Sequence, residues 1–409
     1  MNETESVFAG LRVLDVGSFI ASPAAATVLS DFGAQVIKIE PPGSGDPYRA
    51  LANQPGYPQS PHNYCWSLDG RNKRSLALNL AGSEGQEVLH RLVQTADVFV
   101  TNAPLASRDR LGIDHQQLAK LNGRLIYASF TAYGEVGDEA HLTGFDSTAW
   151  WGRSGLMDHV RPDSQSPPAR SAPGMGDHQS ALSLFGAIVT ALYRRERTGT
   201  GAYVGSSLIA NGAWSNSCLL QAALCGANFS EKPPRTEAKI PLSNHYRCRD
   251  GRWIILSMSV SPVQEERSWP AFAQAISHPD WVEDPRFATR SARMKNHEQL
   301  VSALDDAFGI RDARDWRDAL AAIGVSVGIV ARAEDLVDDR QMLATGVFVP
   351  LPGGDGAELT VSSPFWLAES AKVTARPAPS VGQHTDEVLR ELGFDFPHIE
   401  LLRAAGTVA

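Results

Sequence analysis

Short β-branched runs alternate with helical stretches over the first 130 residues, and that alternation constrains the fold more than any other feature. Arg12-Val13-Leu14-Asp15-Val16 is an apolar run fit for a buried strand. Pro23 then opens a helix over 24–32, with proline in its first turn and Gly33 near its end. Gln35-Val36-Ile37-Lys38-Ile39-Glu40 is the next strand, and Pro41-Pro42-Gly43-Ser44-Gly45-Asp46 breaks the chain after it. Residues 75–80, 97–101 and 125–130 read as further strands, and 84–95 as an amphipathic helix. Strands alternating with helices predict a parallel sheet covered on both faces. The expected class is α/β, with a Rossmann-like parallel-sheet large domain.

Beyond this domain the pattern changes twice. The most hydrophobic helix covers 179–195, apolar over nearly its whole circumference, and is expected to be buried. Arg194, Arg195 and Arg197 close it ahead of Thr198-Gly199-Thr200-Gly201, where cations complement the helix dipole and glycine caps the end. Those arginines need no ligand to explain them. Short strands and polar helices then predict a smaller α+β domain. The expected organisation is a large domain over 1–225 that includes a linker helix, a small domain over 226–325, and a return to the large domain over 326–409.

Composition excludes several partners. The charge of −9, from 37 Lys and Arg against 46 Asp and Glu, is wrong for a general nucleic-acid binder, though a local basic pocket for a polyanion is compatible with it. No apolar run approaches the ~20 residues that span a bilayer. Met1-Asn2-Glu3-Thr4-Glu5 is acidic, unlike a signal peptide, so a cytoplasmic protein is expected, with neither nucleic acid nor membrane as a partner. Cys65, Cys218, Cys225 and Cys248 form no C-x-x-C pair, and the spacing of Cys218 and Cys225 places them on one buried helix face. The eleven histidines form no ligand cluster, so no metal is expected.

Familiar nucleotide and hydrolase motifs are missing. The turn after the first strand, Gly17-Ser18-Phe19-Ile20-Ala21-Ser22, lacks G-x-G-x-x-G, and neither a P-loop nor a G-x-S-x-G elbow occurs. The leading candidate for chemistry is Asp177, in Gly174-Met175-Gly176-Asp177-His178 ahead of the buried helix. Two readings stand side by side. Asp177 is a helix N-cap, or it is a covalent nucleophile beside free amides that stabilise an oxyanion. Two basic points accompany it. Arg71-Asn72-Lys73-Arg74 is a solvated loop or an anion site, and Arg108 and Arg110 lie just past a strand's C-terminal end, where open α/β sheets bind ligands.

The ordered motifs resemble a known family. Leu11-Arg12-Val13-Leu14-Asp15, then Gly33-Ala34-Gln35-Val36-Ile37-Lys38-Ile39-Glu40 and Gly43-Ser44-Gly45-Asp46, are similar to the opening of family III CoA-transferases. Asn72-Lys73-Arg74-Ser75, Arg110-Leu111-Gly112, Arg195-Glu196-Arg197-Thr198-Gly199 and the closing Gly382-Gln383-His384-Thr385-Asp386 follow in order. The resemblance implies an interlocked homodimer. It also implies transfer of CoA from an acyl-CoA donor to a carboxylic acid acceptor, with the CoA thioester as substrate and no bound cofactor. Asp177 falls on the family's catalytic aspartate, which passes through a mixed anhydride and an aspartyl-CoA thioester. CoA contacts carry over to Ile20, Ala21, Leu78, Asn79, Leu80, Ala81, Asn102, Ala103 and Arg110. The substrate pocket carries over to Thr143, Phe145, Asp146 and Gly176.

Departures from the family pattern refine this. Ile20, Pro41, Thr143 and Phe145 replace a glutamine, an arginine, a lysine and a tyrosine of formyl-CoA transferase, and its glycine-rich lid has no equivalent here. Formyl-CoA and oxalate are therefore not the expected substrates. Alpha-methylacyl-CoA racemases, which are relatives, have histidine at the position of Phe145. Phenylalanine transfers no proton, which counts against the racemase alternative, although His141, His159 and His178 lie nearby in sequence. A third reading is a CoA-ester-binding protein without catalysis.

Overall fold

A computed structural model describes residues 6–258, 261–354 and 356–409. The chain packs as two compact units, one of Met1–His159, Ala169–Gly226 and Arg340–Ala409, the other of Val160–Pro168 and Ala227–Asp339.

The first unit is built on a six-stranded parallel sheet. In chain order it contains β1 (Arg12–Asp15), α1 (Ala21–Asp31), β2 (Gln35–Glu40), α2 (Tyr64–Gly70), β3 (Lys73–Ala77), α3 (Ser83–Thr95) and β4 (Val98–Thr101). There follow α4 (Leu105–Arg108), α5 (His115–Leu121), β5 (Ile126–Thr131), α6 (Leu156–His159), α7 (Met175–Thr198), β6 (Ala202–Ser207), α8 (Leu208–Ser215) and α9 (Ser217–Leu224). The strand order is β3-β2-β1-β4-β5-β6, with Val13 of β1 paired to Val36 on one side and Val98 on the other. Strand order reverses between β1 and β4. Connections leave the sheet on opposite faces there, so the carboxyl ends of these two strands flank a crevice.

Both faces of the sheet are covered, as the near-continuous apolar strands require. α1 and α7 lie on one face with Val13, Val36, Val98 and Ile126, while α3 and α5 lie on the other with Leu14, Phe99 and Tyr127. Every residue of α1 is buried, and its run of alanines lets α7 approach closely. α7 departs from the all-round burial expected of it. Gly176, Ser180, Ala181, Leu184, Ile188, Ala191 and Arg195 form one buried stripe at helical spacing, whereas Tyr193 on another side is 68% exposed. The sheet and α1 cover only one side within a single chain.

The second unit holds a three-stranded antiparallel sheet of β7 (His245–Arg247), β8 (Trp253–Ser257) and β9 (Ser326–Ile329). It packs α10 (Pro262–Ala275), α11 (Arg290–Lys295), α12 (His297–Phe308) and α13 (Ala313–Ala321) around Trp269, Phe272, Phe308 and Trp316. A short α14 (Ala333–Leu336) closes it. The chain then adds α15 (Arg340–Ala344), the hairpin β10 (Phe348–Pro350) with β11 (Leu359–Val361), α16 (Thr385–Glu391) and α17 (Phe396–Ala404) to the first unit.

Two further sequence expectations fail. Cys218 and Cys225 are exposed, because the apolar helical stretch breaks at Asn216 and α9 buries none of its residues within one chain. The run Arg71-Asn72-Lys73-Arg74 is not a solvated loop: Arg71, Asn72 and Lys73 are buried, Arg74 is partly exposed, and the three cations are ion-paired within the chain. Arg71 pairs with Asp31 at 2.7 Å, Lys73 with Asp15 at 2.8 Å, and Arg74 with Glu387 at 2.7 Å. Among the described residues no helix is long and apolar enough to cross a membrane.

Candidate active site

α7 starts with Gly174 at its N-cap, in the left-handed region at φ 71°. Asp177 is thus the third residue of the helix, not its cap, and the first turn has no side-chain cap of its own. Capping comes from Asp146, whose carboxylate accepts the Gly176 amide at 3.3 Å. The capping role that the sequence allowed Asp177 is thus filled by Asp146. Burial, then the Asp146 carboxylate and more weakly Asp69, push its carboxyl up to about 7, and His178 opposes them. Burial also raises Asp146 itself.

Gly176 and Gly174 are required by contact, each in a different way. A Cβ at Gly176 would stand 2.7 Å from the Trp150 ring. One at Gly174 would be strained by its φ and would meet His178 Nδ1 at 3.0 Å and Ile20 Cδ1 at 3.3 Å. Trp150 and Trp151 stack at 5.7 Å inside a π-helical turn, Asp146–Gly152, and both are buried. They are the floor under the start of α7. The sequence leaves open whether they wall the site or pack behind it, and packing prevails.

A chain of hydrogen bonds that sequence reasoning missed fixes the other side. Asp69 of α2 is buried and accepts the Tyr48 hydroxyl at 2.6 Å. His178 Nε2 lies 3.2 Å from both Asp69 carboxylate oxygens, and its Nδ1 lies 3.0 Å from the Gly174 carbonyl. Burial works against charge on this imidazole, but Asp69 prevails and holds it up at about 9. No motif joins Tyr48, Asp69 and His178; only the fold does.

The loop after β1 closes the site at the sheet's reversal point. Asn102 clamps it, accepting the Ser18 amide and donating to the Ser18 carbonyl, both at 2.8 Å. Phe19, at φ 61°, donates its amide to Asp46 at 3.0 Å and meets the Phe145 ring edge-on at 5.9 Å. Beneath, Lys38 bonds Asp46 at 2.8 Å and the Gly17 carbonyl, while Asp15 accepts the Gly17 amide at 3.1 Å. Such a buried network of paired charges holds one loop conformation. A cavity of about 350 Å³ opens alongside, lined by Asn102, Ala103, His141, Thr143 and Gly144.

The structure therefore gathers Ile20, Phe145, Asp146, Gly176 and Asp177 around the start of α7, and Asn102, Ala103 and Thr143 around the adjoining cavity. Ala21 is the buried first residue of α1. Leu78, Asn79, Leu80 and Ala81 follow β3, where Leu78 bridges to Val408 and the Asn79 amide donates to the Thr407 carbonyl. Arg110 lies exposed in the turn after α4. Arg108 differs. It is buried, donates to the Ala103 carbonyl at 2.9 Å and to Ser129 Oγ at 2.8 Å, and so acts as an internal strut. Among the described residues no group of three or more His, Cys, Asp or Glu is arranged to hold a metal ion.

Comparison with known proteins gives this arrangement its chemical class. The model of CoA-transferase family III matches residues 8–385. The chain belongs to CoA-transferase family III. It is 32% identical to (R)-2-hydroxy-4-methylpentanoate CoA-transferase of Clostridioides difficile, over 94% of this chain and 95% of that one. It is 29% identical to cinnamoyl-CoA:phenyllactate CoA-transferase of Clostridium sporogenes, over 98% and 97%. A crystal structure of a CAIB/BAIF family protein from Brucella suis superposes with a TM-score of 0.84 at 26% identity, covering 95% of this chain and all of that one. This family III member is an enzyme of the acyl-CoA:carboxylate CoA-transferase type, moving CoA between an acyl-CoA and an acid.

Proposed function

We propose that Asp177 is the covalent nucleophile of this transferase. The observation that carries the reading is a half-buried carboxylate in the first turn of α7, relieved of capping duty by Asp146. The Asp177 carboxylate attacks the donor thioester carbonyl, the C–S bond breaks, and an aspartyl mixed anhydride forms as CoA leaves as thiolate. The thiolate attacks the aspartyl carbonyl, releasing the donor as a free acid and leaving an aspartyl-CoA thioester. The acceptor carboxylate attacks that thioester to give a second anhydride and thiolate. Attack of the thiolate on the acceptor's carbonyl then yields the new CoA ester and restores Asp177. The N-terminal end of α7 favours the oxyanion that develops at each step.

Ile20, Ala21, Asn102, Ala103, Leu78, Asn79, Leu80, Ala81 and Arg110 are the proposed CoA contacts, with Thr143, Phe145, Asp146 and Gly176 bordering the acyl group. A cytoplasmic homodimer without a bound cofactor completes the reading. The names of two relatives point to 2-hydroxy carboxylates as the acceptor class. Racemisation is the rival, and two features oppose it: Phe145 offers no base, and both nitrogens of His178 face acceptors. Incubation with acyl-CoA in heavy water, with and without a 2-hydroxy acid, separates the two. Transfer predicts a new CoA ester only with the acid and no deuterium at the α-carbon. Deuterium uptake without an acceptor would overturn it.

A further inference from the structure

The His178 imidazole sits between two groups that can only accept. A backbone carbonyl oxygen faces Nδ1, and an ionised carboxylate faces Nε2. Both nitrogens must therefore donate, which makes the ring an imidazolium. A neutral ring would turn a lone pair toward one of these oxygens. Asp69 is itself fixed as an acceptor, since Tyr48 donates to it at 2.6 Å and the nearby Lys73 favours its charge. The cation is built into the contact that ties Asp69 of α2 to the start of α7.

From this geometry we infer that His178 is a positioning residue for Asp177, a fixed cation that keeps the neighbouring carboxylate ionised and holds the Gly174 turn that presents it. The inference rests on the reading of Asp177 as nucleophile. Several groups act on this pair: Asp69 from α2, Asp146 from the π-helical turn, and Tyr48 and Tyr57 from the segment before α2, while Lys73 of β3 and Cys65 of α2 act on Asp69 behind it. Of the charges that act on Asp177, Asp146 and Asp69 disfavour the carboxylate, and His178 favours it. Gly174 fits the same account. A side chain there would stand 3.0 Å from His178 Nδ1 and push the ring from its carbonyl partner. An imidazolium with both protons engaged has no lone pair, so His178 serves the reaction through Asp177 and not as a base.

The sign of the effect follows. Without the cation the carboxylate is harder to form, so the acid limb of kcat moves to higher pH. His178→Gln is expected to shift that limb upward by about one pH unit, with roughly a tenfold loss near pH 6 that is mostly regained near pH 9. A purely structural role would lower kcat equally at every pH. An unmoved limb would overturn the inference. Nitrogen-15 spectra of the intact wild-type enzyme provide the second readout, should the variant fail to fold. The His178 ring is expected to show two protonated nitrogens at about pH 7.5, where an ordinary histidine is mostly neutral. A neutral ring there would overturn the inference. Asp177→Asn separates this failure from that of the nucleophile reading. If Asp177→Asn still transfers CoA, the nucleophile reading falls. If it is inactive while His178→Gln keeps the wild-type limb, only the role of His178 falls.

Discussion

Burial and two neighbouring carboxylates raise Asp177 to about 7, so kcat is expected to rise with pH through an acid limb in that region. Arg110 bears the other residue-scale claim. Exposed beyond the β4 end, it is suited to a CoA phosphate, and Arg110→Ala is expected to weaken CoA-ester binding by ~1.5–3 kcal/mol with the fold intact. Titration calorimetry with a CoA ester checks this, and unchanged affinity would contradict the placement. Residue type pointed to Asp177, but sequence could not separate nucleophile from cap. The group that takes the capping role instead, Asp146, lies 30 residues before Gly176, whose amide it accepts, in a π-helical turn. Tyr48 and Asp69 left no trace for the same reason: Asp69 stands 109 residues from His178, and only a side-chain contact between α2 and α7 joins them. Likewise Arg71 and Lys73 read as solvated because their partners, Asp31 and Asp15, lie on distant elements.

At the scale of elements, the first turn of α7 is positioned by contact with Trp150. Gly176→Ala puts a methyl group 2.7–2.9 Å from Trp150 side-chain atoms, in a buried place with no slack. The expected cost is about 1–3 kcal/mol of stability, with a fall in kcat that exceeds any change in KM because Asp177 moves with the turn. Thermal melts and steady-state kinetics check both, and wild-type values for both would show that Trp150 is no support. Periodicity made these elements legible where burial is two-sided. β2 occupies 35–40 with nearly every residue buried, and β8, Trp253–Ser257, is legible instead by its alternation, buried on one face only. It served less well where polar side chains are buried. β3 begins at Lys73, ahead of the apolar run at 75, because the Lys73 ammonium is paired inside the sheet's edge. α7 shows the opposite limit, since its apolar circumference predicted all-round burial and only one stripe is buried within a single chain.

For the whole molecule, the parallel sheet with order 3-2-1-4-5-6 sets the reversal point, and the β1 loop, Asn102 and the start of α7 converge near it. The alternating pattern predicted a parallel sheet covered on both faces, but neither its strand order nor β6. Partner surfaces are another matter. Within one chain Trp214 is 79% exposed, Leu224 is 82% exposed and Tyr193 of α7 lies open. Apolar surface on this scale fits a second copy of the chain, as the proposed interlocked homodimer requires. Such a dimer separates only when a chain is threaded out, so it is expected to persist at nanomolar concentration until the protein unfolds. Sedimentation of dilute protein tests this, and a folded monomer would contradict it.

The central claim is that Asp177 becomes covalently bonded during turnover. The most direct measurement is mass spectrometry of the peptide carrying Asp177 after incubation with acyl-CoA and hydroxylamine, which attacks anhydrides and thioesters alike. The account predicts a hydroxamate on Asp177, inactivation that needs the donor, and neither in Asp177→Asn. An unmodified Asp177 in enzyme that is still turning over would contradict it.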